Sequence, residues 1–107
     1  YARAITARCS SSALFVASDD PGVASDLGAL LGPAFDVRSL AGDSSGPGHF
    51  QGDFNRLPPE ERRRRTVRLL TELEALRRAD TVLLTTSSNV GSLLQYARGN
   101  RGVVDVA

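Results

Sequence analysis

Two short apolar runs, residues 13–18 and 81–85, each break off in polar residues that open a helix, and this pattern constrains the chain most. Ala13-Leu14-Phe15-Val16-Ala17-Ser18 and Thr81-Val82-Leu83-Leu84-Thr85 lack the apolar–polar alternation of a half-exposed strand. They read as strands buried on both faces, the kind from which parallel sheets are built. After the first run, Asp20 offers a carboxylate to free amides and Pro21 is pre-set for a first helical turn. The helix so predicted carries Val23, Leu27, Leu30 and Leu31 inward and ends at Gly32-Pro33. After the second run, Ser87 or Ser88 is expected to cap a helix with Val90, Leu93, Leu94 and Ala97 inward. That helix ends at Gly99, just after Arg98.

The rest of the chain fits the same alternation. Residues 1–9 read as the end of a helix, with Ile5 and Cys9 at helical spacing. Residues 35–40 are a further strand candidate, and 103–106 a final short one. From 41 to 57 the chain is rich in Gly, Ser, Asp and Pro and reads as a long, functional or mobile loop. Pro58-Pro59-Glu60-Glu61 opens the strongest helix, whose inner stripe is Val67, Leu69, Leu70, Leu73 and Leu76. Glu60 with Arg64, Glu61 with Arg65, and Glu74 with Arg78 are expected as surface pairs, each worth ~0.2–0.5 kcal/mol. Strands alternating with helices give an α/β class: a Rossmann-like, mainly parallel sheet with flanking helices. One domain is expected over the 107 residues.

Composition excludes several chemistries. All 13 basic residues are arginine, so no lysine Schiff base, P-loop lysine or lysine general base exists in this sequence. The net charge of +1 gives no reason to expect a nucleic acid partner or membrane contact from this segment. Cys9 is alone, which rules out an internal disulfide and a cysteine metal cluster. No apolar run reaches the ~20 residues of a membrane span, and no signal-peptide pattern opens the chain. It starts at Tyr1 rather than methionine, so it is expected to be a fragment of a longer protein. His49 sits in the polar loop, and Arg62-Arg63-Arg64-Arg65 reads as a solvated helix face.

Parallel sheets bind ligands at the carboxyl ends of their strands. Ser18-Asp19-Asp20-Pro21 and Thr85-Thr86-Ser87-Ser88-Asn89 both occupy such ends. A helix N-terminus presents unpaired amides and a partial positive charge, which suits a phosphate. The second turn is therefore a candidate diphosphate anchor, although the same serines could serve only as caps, and Asp20 likewise. Paired aspartates also suggest a divalent cation, but two adjacent carboxylates make a thin ligand set.

At these two turns the sequence resembles the α-1,6-fucosyltransferase family, which includes core and nodulation fucosyltransferases. Leu14-Phe15-Val16-Ala17-Ser18-Asp19-Asp20-Pro21 is similar to that family's strand and Thr/Ser-Asp-Asp-Pro turn. Leu69-Leu70-Thr71-Glu72-Leu73-Glu74-Ala75-Leu76 precedes Ala79-Asp80-Thr81-Val82-Leu83-Leu84-Thr85-Thr86-Ser87-Ser88-Asn89-Val90. This is similar to the family's helix, Ala-Asp, apolar strand and Thr-x-Ser-Ser-Gln/Asn-Val block. The two blocks stand in the family's order, joined by a variable loop, and cover most of residues 13–97.

The resemblance implies the C-terminal, donor-binding half of a GT-B enzyme that transfers fucose from GDP-fucose to a glycan acceptor, with inversion and without a metal. It implies a need for Asp19 and Asp20 in catalysis and contact of Ser88, flanked by Ser87 and Asn89, with the donor diphosphate. It places Glu72 near the guanosine, although relatives usually carry the shorter Asp there. Ser92 stands where relatives often have Arg, and the family's His-x-Arg-Arg motif has no equivalent in residues 1–18. The segment alone is therefore expected to be catalytically silent, since transfer also needs a base for the acceptor hydroxyl. A eukaryotic parent would reside in the Golgi lumen or secretory pathway. The competing expectations are a receiver-like or other non-catalytic nucleotide-binding module, and a structural domain whose turns are caps. A receiver also needs a lysine after its last strand, which is absent.

Overall fold

The computed structural model describes residues 1–8, 13–20, 22–40, 51–85 and 87–106. Cys9, Pro21, Thr86 and residues 41–50 with His49 lie outside the described residues. The elements run α1 (Ala2–Arg8), β1 (Ala13–Val16), α2 (Val23–Leu31), β2 (Asp36–Ser39), α3 (Gln51–Arg56), α4 (Pro59–Arg78), β3 (Val82–Leu84), α5 (Asn89–Arg98) and β4 (Val103–Asp105). Helix α3 falls inside the stretch expected to be a loop; Leu57 N–H closes its end on the Phe54 carbonyl at 3.1 Å.

The fold is mixed α/β with parallel strands, as the alternation requires. β1 pairs with β2, from Ala13 beside Asp36 to Val16 beside Ser39. β3 pairs with β4, from Val82 beside Val103 to Leu84 beside Asp105. Among the described residues the strands join two by two and form no single continuous ladder. Parallel neighbours need a crossover, and α2 and α5 supply it in turn, giving two successive β-α-β units.

The core of the second unit gathers Val82, Leu84 and Leu94, with Leu73, Leu76, Ala79 and Val103 packed around it. In the first unit Ile5 of α1 is buried, and α1 packs on α2. The expected inner stripes are only partly used. On α4, Leu73 and Leu76 face the core while Val67, Leu69 and Leu70 are exposed. On α2, Leu30 is 74% exposed. On α5 the buried face is Gly91, Leu94 and Arg98, so Val90, Leu93 and Ala97 point outward. The predicted stripe is thus rotated by one position, because the helix turns its glycine and its arginine inward.

Arg98 explains that rotation. It is 6% exposed, and its guanidinium donates to carbonyls on two neighbouring segments. Nη1 reaches Leu76 at 3.0 Å, Arg77 at 2.8 Å and Ala79 at 2.6 Å; Nη2 reaches Asp80 at 3.1 Å and Nε reaches Arg101 at 2.9 Å. The last carbonyls of a helix have no intrahelical donor. Arg98 therefore closes the end of α4 from the end of α5, placing a cation where the α4 dipole is negative. Burial, aided by Arg101 and opposed by Asp80, lowers the guanidinium pKa below the usual arginine value. Gly102 completes the arrangement at φ +60°: a side chain there would collide with the Asp80 carbonyl and approach Arg98 Nη2 to 2.9 Å.

The α4 surface carries the expected ion pairs with one change. Arg65 meets Glu61 at 3.5 Å and Arg78 meets Glu74 at 2.7 Å, but Arg64 turns to Glu61 at 3.1 Å instead of Glu60. Arg77 adds a two-pronged contact to Glu74, both bonds at 2.8 Å. Hydrogen bonds from Arg77 and then Arg78 lower the Glu74 pKa from 4.5 to about 2.

Two stability predictions follow from these contacts. Arg98→Met is expected to cost about 1–3 kcal/mol by urea denaturation, because it removes a charged donor shared by five part-buried carbonyl contacts. Arg98→Lys should recover only a minority of that loss, since an ammonium lacks the fork that spans both segments. Glu74 has a folded pKa below its unfolded one, so its contribution is present above pH 4.5 and is lost as pH falls towards 2. The gap in urea midpoint between the parent and Glu74→Gln should accordingly shrink over that window. Added salt should shrink it at neutral pH, because the Glu74 side chain is 44% exposed.

Candidate functional site

The turn between β3 and α5 is built from the end of a buried strand and the start of an exposed helix. Leu84 is buried, and the chain then leaves the core through Thr85. Ser88 is the N-cap, with an extended backbone at φ −93°, ψ 150°. Its hydroxyl accepts from Gly91 N–H at 2.9 Å and donates to the Thr85 carbonyl at 3.1 Å. Ser88 N–H also reaches that carbonyl at 3.2 Å. Ser88, rather than Ser87, is therefore the capping serine, and its one proton is engaged inside the turn.

Gly91 makes this geometry attainable. A methyl group on its Cα would overlap the Thr85 carbonyl oxygen and come within 3.0 Å of Ser88 Oγ. Without one, the first turn of α5 sits directly against the end of β3. The capping bond satisfies the third amide of the helix, while Asn89 and Val90 supply the first two. First-turn amides have no acceptor within their own helix, and the helix dipole leaves partial positive charge beside them. Ser87, Ser88, Asn89 and Val90 are all exposed. The turn thus sets the first amides of α5, at two exposed residues, beside hydroxyl and amide side chains, an arrangement suited to an anion.

The turn after β1 is built differently. Asp20 N–H donates to Ser18 Oγ at 3.0 Å, and Asp20 Oδ1 accepts from Gly22 N–H at 2.9 Å. Helix α2 begins at Val23 with Gly22 as its N-cap and no capping side chain. Asp20 therefore closes a local turn ahead of the helix instead of capping it. A carboxylate reaches the second amide beyond it readily, which leaves the cap itself to Gly22. Asp19 and Asp20 are both exposed.

Glu72 lies on α4, 7% exposed, with Oε1 3.2 Å from Arg68 Nε. The six candidate residues thus fall into three local groups. Ser87, Ser88 and Asn89 share one turn, Asp19 and Asp20 share another, and Glu72 is tied to Arg68 on a helix. Among the described residues no group of three His, Cys, Asp or Glu side chains could hold a metal ion. No described helix is long and apolar enough to cross a membrane. Two shallow depressions lie elsewhere. One follows Val67, Leu70, Thr71, Glu74, Ala75 and Arg78 along α4, and one lies between α1 and α2.

The sequence singled out Arg98 only as a charge at the end of its own helix, and Gly91 not at all. Both stand at three- and four-residue steps from Leu94, so the spacing was present. A glycine and an arginine on an inner face carry no apolar signal, however. Gly91→Ala is expected to destabilise the fold by about 1–3 kcal/mol through overlap with the turn. Ser88→Ala should cost ~1 kcal/mol as a lost cap. Thermal unfolding of both variants checks this, and a Ser88→Ala variant as stable as the parent would remove the capping role.

No family model, curated protein or solved structure matches this chain.

Proposed function

We propose that the β3–α5 turn binds the diphosphate of a nucleotide sugar. In this reading the chain is the donor-binding part of an inverting, GDP-fucose-using glycosyltransferase with a Rossmann-like GT-B half. The observation that carries it is the start of α5, where Ser88 holds the turn closed and the first two helical positions, Asn89 and Val90, are exposed residues. The capping arrangement refines the role of Ser88. Its proton is engaged by Thr85, so Ser88 orients backbone donors, while Ser87 and Asn89 supply side-chain contacts to the diphosphate.

The acidic turn has a separate role. Asp19 and Asp20 carry negative charge, which repels a diphosphate and favours sugar hydroxyl donors. They are assigned to the transferred sugar, in keeping with the resemblance at Ser18-Asp19-Asp20-Pro21. Glu72 is assigned to the guanosine side, and Arg68 competes with the base for its carboxylate. No metal is invoked. Transfer needs a base to activate the acceptor hydroxyl, and none of these residues is assigned that role, so the chain is proposed to bind donor without turning it over.

Calorimetric titration with GDP and GDP-fucose tests the proposal. Ser88→Asp is the discriminating variant, because aspartate keeps an acceptor for the Gly91 amide, though not the donor to Thr85, while placing an anion against the diphosphate. The expected result is a folded variant about 1 kcal/mol less stable than the parent for the lost bond to Thr85, with GDP binding weakened at least tenfold. Equal GDP affinity in parent and Ser88→Asp would refute the diphosphate assignment. Uptake of phosphate from acetyl phosphate at Asp19 or Asp20, with no GDP binding, would favour a receiver-like module instead.

A further inference from the structure

We draw no further inference here: the strongest candidate, the exposed apolar face of α4 around Val67, Leu70 and Ala75, carries nothing because nothing in the structure shows what covers it.

Discussion

The second half of the molecule depends on one buried cation. Arg98 joins the end of α5 to the end of α4 and to the segments that enter β3 and β4. The carbonyls it meets belong to Leu76, Arg77, Ala79, Asp80 and Arg101, so a single planar group fixes where one helix stops and where both strands begin. An apolar residue at that position would remove a charged donor from all of these part-buried contacts at once, which is costlier than losing an ordinary hydrogen bond. The guanidinium fork suits the task because several donors lie in one rigid plane.

This clamp has consequences at the other end of α5. A helix of ten residues is rigid on this scale, so fixing its C-terminus also fixes the direction of its first turn. Gly91 and Arg98 lie on the same buried face, flanking Leu94. The glycine lets the backbone close on Thr85 while the arginine holds the far end. Ser88 then closes the turn with two hydrogen bonds. The first amides of α5, at the exposed residues Asn89 and Val90, therefore belong to a supported element. A preorganised pair of donors loses little entropy on meeting an anion, which gives such a turn value as a binding site.

Much of the fold was legible because its signals are local. The apolar runs at 13–18 and 81–85 contain β1 and β3, and Gly32 and Gly99 end α2 and α5 with positive φ. Serine before a helix pointed to the cap, and the structure selected Ser88. What the sequence concealed was the facing of the helices. Leucine at 69, 70 and 93 looks like core material, yet these residues are exposed while Glu72 and Arg98 are buried. Periodicity counts apolar side chains and is blind to a charged one turned inward to meet carbonyls or an ion partner. Helix α3 was masked by Gly52, Asp53 and Asn55, which favour turns on their own.

The candidate site divides along the same line. Its β3–α5 turn follows from residue chemistry that any reader of the chain could state, and the structure gives it a mechanism of support. Its acidic turn and Glu72 draw their proposed roles from resemblance; in the structure the aspartates lie in a local turn and Glu72 is a buried residue paired with Arg68 along α4. The central claim is that the first amides of α5 receive the diphosphate. Backbone amide shifts recorded by NMR during a GDP titration test this most directly. The account predicts that the Asn89 and Val90 amides move most and saturate together with the phosphorus signal. Shifts confined to the Ser18–Gly22 turn or to the α4 face, with Asn89 and Val90 unmoved, would contradict it.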